Sequence, residues 1–287
     1  MLGTAPGVYS CGELDRLWLV LDLPDRRCSC GKHPRACEFW VAVMEKGFGK
    51  VSTELAAHFE ALHSRLAPIR RIYRFLPSAK SAEFLRDLRE YQDMIGRLYS
   101  ALFSLSGART LIDSSKGAGY GWCVTSLPEV SMRCLHMVRD SRAVAFSWTR
   151  TQVSSVPVSM KERRPAMRSA VLWSAENAAA ETLRFRARRY VRQRYEDFAR
   201  TPQQALDSIS TRLALPPISL SKAGAAHLDT GHMVTGNPLI YQAGEVTIHE
   251  DKEWATAIHP NDARTVTAIT WPLLLRYGYS LAQPSRD

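Results

Sequence analysis

At 287 residues the chain is long enough to bury a sizeable core, and its 45% apolar and 23% charged content is typical of a globular protein rather than a disordered or fibrous one. Its net charge of +10 favours anionic partners such as nucleic acid, anionic membrane surfaces and phosphorylated ligands. The longest apolar run near the start, Leu17–Leu21, is too short to span a bilayer, and no signal peptide is evident. We therefore expect a cytoplasmic protein without stable membrane insertion.

The first half of the chain shows apolar residues at helical spacing, followed by two short apolar runs. Val51–Arg71 and Phe84–Leu105 have the periodicity of amphipathic helices. Thr110–Ile112 predicts a short buried strand, a helical segment follows near Gly121–Leu127, and Leu135–Val138 predicts a second strand. The order strand, crossover, strand and helix predicts an α/β fold with a parallel sheet.

The second half of the chain alternates polar segments with further helices. Residues 151–168 are polar and contain proline, so they form either a mobile loop over a site or a plain connector. The remaining predicted elements are a long helix at Ala170–Arg189, a strand at Tyr190–Val191, a helix at Thr201–Leu213 and a final helix at Asp262–Tyr277 interrupted at Pro272. We expect residues 1–287 to form a single domain.

Six cysteines occur in a chain that is large enough to fold without a disulfide framework. Three of them, Cys28, Cys30 and Cys37, form a cluster, and together with the nearby His33 they could supply four zinc ligands. Cys-x-Cys is not the usual zinc-knuckle spacing, however, and no Cys-x-x-Cys pair follows it. The residue pattern alone leaves metal binding open.

The most informative segment is Leu135–Trp148, in which a strand, a turn with two arginines and a helix start follow one another. A basic turn at a helix N-terminus forms a site for a phosphate. Arg139 and Ser147 are eight residues apart, so a guanidinium in the turn and a hydroxyl on the helix can converge on one anion. The alternative is an ordinary turn in which an Arg–Asp pair caps the helix, and the spacing does not decide between the two.

This segment resembles the 3′-phosphate-binding segment of sulfotransferases of the bacterial type, which use 3′-phosphoadenosine-5′-phosphosulfate (PAPS). The resemblance implies that Arg139 and Ser147 bind the 3′-phosphate. Tyr195 stands in a Tyr-Glu-Asp segment that is also similar to one in the family, and the resemblance implies that its ring lies against the adenine. The alternative for Tyr195 is a core tyrosine at the end of a strand.

A second motif, Asp113-Ser-Ser-Lys116, resembles the strand-end motif that faces the sulfonate in many bacterial members. Sulfonate transfer needs in-line positioning, positive charge near the bridging oxygen and a base for the acceptor. The resemblance implies that Lys116 supplies the charge and that Ser115 orients the sulfonate. No histidine stands where the animal cytosolic enzymes have their catalytic one, so the base is unassigned. The alternative is a polar strand-to-loop turn.

Two further segments carry the resemblance. Gly236-Asn237-Pro238 is similar to a segment of bacterial members, but Leu239 stands next where an arginine is common. Gly236 and Asn237 can still offer hydrogen-bond donors to an anion. The segment from Cys28 to Trp40 also resembles one in bacterial members, where we interpret it as local structure, and we therefore predict no metal site.

The resemblance extends from about Pro6 to Tyr279, and its largest departure is at the front. Family members resemble P-loop proteins, in which a first strand leads into a glycine-rich phosphate loop and a helix. The sequence holds no Gly-x-x-x-x-Gly-Lys-Ser/Thr motif, and its first residues match the family segment located just after the P-loop helix. We expect a P-loop NTPase-like parallel sheet flanked by helices that lacks this first strand and loop. A fragment, or a reading frame that starts too late, explains this absence more readily than a degenerate protein does.

The resemblance implies a transferase that moves a sulfonate from PAPS to a hydroxyl or amine of a small-molecule, glycan or lipid acceptor, with residues 151–168 on the acceptor side. Without the phosphate loop, the chain as given is not expected to be fully active. One alternative is a non-catalytic nucleotide-binding or scaffold protein. Another is nucleic-acid binding through Arg184–Arg194, but no nucleic-acid-binding signature accompanies this segment and a solvated helix face also explains it. We expect no nucleic-acid partner.

Overall fold

The computed structural model describes residues 1–49, 52–149, 164–221, 224–228, 231–236 and 238–282. The helices are α1 (Leu17–Val20), α2 (Glu38–Phe48), α3 (Thr53–Leu66), α4 (Ala82–Ser106), α5 (Ala118–Val124), α6 (Ser141–Thr149), α7 (Ala166–Thr182), α8 (Tyr195–Arg200), α9 (Pro202–Leu213), α10 (Glu253–Ala257) and α11 (Pro260–Arg276). The strands are β1 (Val8–Gly12), β2 (Thr110–Asp113), β3 (Arg133–Val138), β4 (Arg189–Arg194), β5 (Ala225–Leu228) and β6 (Gly244–Thr247).

The strands form pairs rather than one continuous sheet. β1 and β2 are parallel, β3 and β4 are parallel with Val138 opposite Arg194, and β5 and β6 are antiparallel. The predicted α/β class and the parallel direction are therefore confirmed. Among the described residues the two parallel pairs do not hydrogen-bond to each other.

A cavity of about 250 Å³ lies between the two parallel pairs. Ser10 and Ile112 line it from the first pair, and Leu135 and Met137 line it from the second. No strand in the part of the chain that the structure describes pairs with the facing edges of β2 and β3. Ser114, directly after β2, lines the same cavity.

The long helices form where the sequence supplies both an apolar stripe and a cap. The hydroxyls of Ser52 and Ser81 accept hydrogen bonds from the backbone N–H groups of Leu55 and Phe84, at 3.3 and 3.1 Å, and so start α3 and α4. Gly107 ends α4 in the left-handed conformation at φ 63°. The predicted amphipathic helices at Val51–Arg71 and Phe84–Leu105 are confirmed as α3 and α4.

The buried faces of these helices meet in the main hydrophobic core. Trp18 stacks on Phe59 with ring centroids 4.9 Å apart, and Phe59 in turn lies 4.9 Å from Tyr91. All three side chains are buried. This core holds β1 and β2 from one side, and it therefore fixes the position of the polar residues that follow each of these strands.

Two predicted helix boundaries are wrong. α7 ends at Thr182 and not at Arg189, because residues 189–194 pair with β3 as strand β4. The arginines of this strand consequently do not lie on a helix face. α11 runs through Pro272 without a break, since the buried side chains of Val266 and Leu274 on the same helix pack into the protein and offset the hydrogen bond that proline lacks.

The predicted loop at residues 151–168 lies largely outside the described residues, and α7 begins at Ala166. Among the described helices, none combines the length and the apolar character needed to cross a membrane.

Candidate functional site

The turn between β3 and α6 contains a buried ion pair that serves the fold. The guanidinium of Arg142 donates to both carboxylate oxygens of Asp140, at 3.0 and 2.7 Å, and the two side chains are only 2% and 5% exposed. The same carboxylate accepts a hydrogen bond from the backbone N–H of Arg142 at 2.9 Å. Asp140 therefore caps α6, and the capping interpretation of the turn applies to this pair.

Arg139, by contrast, points away from the buried pair. Its guanidinium carbon lies 4.6 Å from the centroid of the Tyr195 ring, and its Nη2 donates to the carboxylate of Asp251 at 2.8 Å. The Nε of Arg139 is buried and has no hydrogen-bond partner. The indole N–H of Trp173 donates to the Arg139 carbonyl at 3.1 Å and fixes the backbone there. The result is an oriented cation whose buried Nε has no acceptor.

The structure places two of the predicted nucleotide-binding residues together and a third on the adjoining helix. Tyr195 begins α8 directly after β4, and its hydroxyl donates to the His249 carbonyl at 3.4 Å and accepts from the Asp251 N–H at 3.2 Å. The guanidinium of Arg139 therefore lies over one face of this ring. Ser147 lies on α6, about 9 Å along the axis from the first residue of that helix at 1.5 Å per residue.

The residues after β2 form a second polar group. The Ser115 hydroxyl donates to the Asp113 carboxylate at 2.5 Å and accepts from the Asp15 N–H at 3.0 Å. The Lys116 ammonium pairs with the carboxylate of Glu13; the lysine side chain is 76% exposed and that of Glu13 only 12%. Ser115 is thus already engaged within the protein, while Lys116 is a largely exposed cation anchored by one carboxylate.

Burial also perturbs a neighbouring carboxyl in this group. It raises the pKa of Asp15 to about 6, and the nearby charge of Asp113 adds to this shift. One Asp15 carboxylate oxygen is buried without a hydrogen-bond partner. The ends of β1 and β2 therefore carry a cation, an ion-paired carboxylate and a carboxyl whose pKa burial raises to about 6, which is a set of groups able to move a proton.

The segment that ends at Gly236 docks onto this same group. The Glu13 N–H donates to the carbonyl and the hydroxyl of Thr235, and that hydroxyl donates back to the Glu13 carbonyl at 2.6 Å. Gly12 has φ 77°, and a Cβ there would lie 2.3 Å from the Thr235 carbonyl oxygen. Gly236 therefore follows a segment fixed beside Glu13, not beside Arg139. Asn237, the other predicted donor, lies outside the described residues.

The cavity between the strand pairs separates the two polar groups. Ser114 on its wall immediately precedes Ser115, and Met137 on its opposite wall lies two residues before Arg139. The carboxyl ends of strands in α/β proteins are the usual place for ligands, and each polar group follows such an end.

The arginines of the segment Arg184–Arg194 are largely engaged with aromatic rings and carboxylates. Arg192 and Arg194 lie over the rings of Tyr277 and Tyr279, at 4.8 and 4.2 Å. Arg192 also pairs with Glu181 at 3.3 Å. These contacts account for much of the local arginine content through packing, as the apolar stems and planar heads of arginine allow.

Sequence reasoning missed two side chains that hold the predicted cations. Glu13 pairs with Lys116, and Asp251 pairs with Arg139. The one signal for Glu13 was its position at the polar end of an apolar run. No local pattern connects Asp251 to Arg139, which lies 112 residues earlier.

Comparison with known proteins gives limited information. No family model matches the chain, and no curated protein matches it. Among solved structures, the chain is similar to the sulfotransferase domain from the curacin biosynthetic pathway, with a TM-score of 0.46 and 14% sequence identity over 96% of this chain and 98% of that one. At this TM-score the similarity assigns no function, which has to be argued from the residues themselves.

Proposed function

We propose that this chain is a sulfotransferase-type protein that binds PAPS and transfers its sulfonate to a hydroxyl or amine acceptor. The observation that supports this most directly is Arg139, whose buried Nε has no partner while its guanidinium lies over the Tyr195 ring. A phosphate oxygen supplies the acceptor that this Nε lacks, and an aromatic face suits a purine. The residues present thus fit an adenosine nucleotide with a phosphate beside the ring.

In this proposal the nucleotide end is bound by residues from β3, α6 and α8. Arg139 and Ser147 hold the 3′-phosphate, and Tyr195 lies against the adenine. Asp251, whose side chain is 49% exposed, gives up its ion pair with Arg139 when the phosphate binds. This exchange replaces one partly solvated carboxylate by a doubly charged group, and charge-assisted bonds from arginine to phosphate are among the stronger hydrogen bonds in proteins.

The transfer end is bound by residues after β1 and β2. The bound donor supplies the sulfonate, which leaves the 5′-phosphate oxygen as the acceptor oxygen or nitrogen bonds to sulfur. Lys116 neutralises the charge that develops on the bridging oxygen. Glu13, which already touches Lys116, takes the acceptor proton. In this assignment Ser115 holds Asp113 and Asp15 in position, and it does not orient the sulfonate by itself.

The first experiment measures nucleotide binding, since the sequence holds no Gly-x-x-x-x-Gly-Lys-Ser/Thr motif to drive turnover. Calorimetric titration of 3′-phosphoadenosine-5′-phosphate into the chain should show binding that Arg139→Ala weakens by about tenfold or more. Arg264→Ala, at an exposed position of α11, is the matched control and should bind like the wild type. A folded chain that binds no nucleotide, or equal affinity in Arg139→Ala, would overturn the proposal.

Turnover is a separate readout of the transfer end. Where sulfonate transfer to a test alcohol is measurable, Glu13→Gln should abolish it while leaving nucleotide affinity unchanged. Binding without any transfer by the wild type would instead favour the non-catalytic nucleotide-binding protein.

A further inference from the structure

Four potential metal ligands from two distant parts of the chain converge at one point. Cys28, Cys30, Cys37 and His232 place their three sulfur atoms and one imidazole nitrogen within 4.8 Å of one another. Cys37 Sγ lies 3.7 Å from Cys28 Sγ and 3.6 Å from Cys30 Sγ. The Nδ1 of His232 lies 3.3 Å from Cys37 Sγ and 3.9 Å from Cys28 Sγ.

These distances match a tetrahedron around zinc. With Zn–S bonds of about 2.3 Å and Zn–N bonds of about 2.0 Å, tetrahedral geometry puts two sulfur ligands about 3.8 Å apart and a sulfur and a nitrogen about 3.5 Å apart. Three cysteine thiols and an imidazole are also the ligand types that favour zinc over hard cations, which prefer oxygen ligands. A disulfide would use only two of the three thiols and would leave the third sulfur and His232 without a role beside it.

His33, the histidine that sequence spacing placed with these cysteines, is not part of the cluster. Its Nε2 lies 3.2 Å from the Leu23 carbonyl, and its Nδ1 accepts from the Arg35 N–H at 3.2 Å. The fourth ligand is His232, 195 residues beyond Cys37. This long separation explains why no zinc motif is visible in the sequence.

The backbone around the cluster is held in a form suited to thiolate ligands. Cys28 and Cys30 lie on a tight turn, in which the Gly31 N–H donates to the Cys28 carbonyl and Gly31 has φ 85°. Cys37 is the residue directly before α2, so its sulfur stands at the N-terminus of that helix. A helix N-terminus stabilises negative charge on a ligand placed there.

The histidine is oriented from several sides. Its ring stacks on Phe39 with centroids 4.9 Å apart and an interplanar angle of 10°. The indole N–H of Trp40 donates to the His232 carbonyl at 2.8 Å. On the next residue, the Met233 N–H and carbonyl bond to the hydroxyl and N–H of Ser29, at 2.9 and 2.8 Å. The imidazole is thus fixed with Nδ1 toward the sulfur atoms before any metal binds.

We propose that Cys28, Cys30, Cys37 and His232 bind one Zn²⁺ ion in a structural site. This proposal differs from the sequence-based prediction of no metal. Because all four positions are filled by protein ligands, the ion has no open coordination position and takes no part in catalysis. Its function is to join the turn before α2 to the segment 231–236.

This connection reaches the candidate transfer end. Three residues beyond His232, Thr235 makes reciprocal hydrogen bonds with Glu13, the carboxylate partner of Lys116. Zinc at the cluster therefore holds in place the segment that hydrogen-bonds to the backbone of Glu13. The metal site itself rests on the ligand geometry and stands whether or not the chain binds PAPS.

The test is the metal content of the whole chain, produced without a polyhistidine tag in zinc-supplemented medium and analysed by plasma mass spectrometry. We expect about one zinc per chain, as in other closed Cys₃His sites. Cys37→Ser and His232→Ala should each lose most of the zinc. Cys134→Ser and His33→Ala are the matched controls, because neither residue belongs to the cluster, and both should keep the full content.

A second measurement avoids variants that fail to fold. Replacing zinc by Co²⁺ in the wild-type chain should give the visible bands of tetrahedral cobalt together with a near-ultraviolet sulfur-to-cobalt transition. A mercurial that blocks thiols should release the zinc in step with the thiols blocked. Folded wild-type chain without zinc, or zinc that persists in both Cys37→Ser and His232→Ala, would overturn the proposal.

Discussion

The guanidinium of Arg139 and the ring of Tyr195 lie 4.6 Å apart, although 56 residues of sequence separate them. They meet because β3 and β4 are parallel neighbours in register, with Val138 opposite Arg194, so the next residue of each strand leaves the pair at the same edge. A charged group and an aromatic face are thus presented together where the two strands end.

This arrangement predicts different effects for two substitutions of Tyr195. Tyr195→Ala removes the ring and should weaken binding of 3′-phosphoadenosine-5′-phosphate by about tenfold, since such stacking contributes on the order of 1 kcal/mol. Tyr195→Phe keeps the ring and loses only the hydroxyl contacts with His249 and Asp251, so its loss should be clearly smaller. Calorimetry on both variants checks this, and unchanged affinity in Tyr195→Ala would show that the adenine binds elsewhere.

Lys116 should affect one end of the nucleotide and Arg139 the other. Lys116→Met should weaken binding of PAPS by about three- to tenfold, because it removes a charge at the sulfonate end. Binding of adenosine 3′-phosphate, which has no group at that end, should be unaffected. Arg139→Ala should weaken both ligands, and Lys80→Met, outside both polar groups, should weaken neither. Equal effects of Lys116→Met on both ligands would contradict the assignment.

The buried pair of Arg142 and Asp140 should be important for stability, unlike Arg139. Arg142→Met leaves an uncompensated buried carboxylate and should lower the free energy of unfolding by about 3–5 kcal/mol. Arg139→Ala should cost about 1 kcal/mol or less, because its ion pair with Asp251 is partly exposed. Urea unfolding of the two variants measures the difference. Similar stabilities would show that the turn does not depend on the buried pair.

Gly12 should be required for docking of the segment 231–236. In Gly12→Ala the new Cβ would lie 2.3 Å from the Thr235 carbonyl oxygen as well as at a positive φ, so we expect a loss of about 3 kcal/mol or more. Gly107→Ala is the matched control, with a positive φ but no atom within 4 Å of its Cβ, and should cost about 1 kcal/mol. Denaturant unfolding distinguishes the two, and equal losses would show that the Thr235 contact yields easily.

Stability should decrease as pH rises toward neutral because of Glu60. Burial raises the pKa of Glu60 to about 7, and the charge of Asp15 adds to this shift. Between the ordinary pKa and about 7, the folded chain keeps a proton that the unfolded chain has lost, so the stability present at low pH is lost as pH rises through 7. Glu60→Gln should therefore be more stable than the wild type above pH 7, by about 1 kcal/mol, with a gain that shrinks toward pH 4.5.

Melting temperatures of both proteins across this pH range provide the measurement. The comparison with Glu60→Gln is needed because His63 acts in the opposite direction. Burial lowers the pKa of His63 to about 4, so its effect is to reduce stability as pH falls below 6.5. A difference between wild type and Glu60→Gln that does not depend on pH would contradict the raised pKa.

Features that depend on neighbouring residues can be predicted from the sequence alone. The apolar periodicity of α3 and α4 predicts two helices that the structure contains. Short apolar runs predict β2 and β3, and the polar residues after each strand predict where charged groups gather. Helix periodicity and the polar ends of strands are local properties that a sequence records, although the end of α7 shows that strand pairing can override them.

Which distant residues meet depends on the tertiary fold. It pairs Arg139 with Asp251, places Arg142 on Asp140, converts residues 189–194 from helix to strand, and brings His232 to the three cysteines in place of His33. Most of these outcomes depend on strand pairing or on packing between segments that are far apart in the chain. The contact of Arg142 with Asp140 depends instead on the direction in which two side chains of one turn point. Such choices are made by burial and hydrogen bonding across the whole fold, and no local pattern of residues records them.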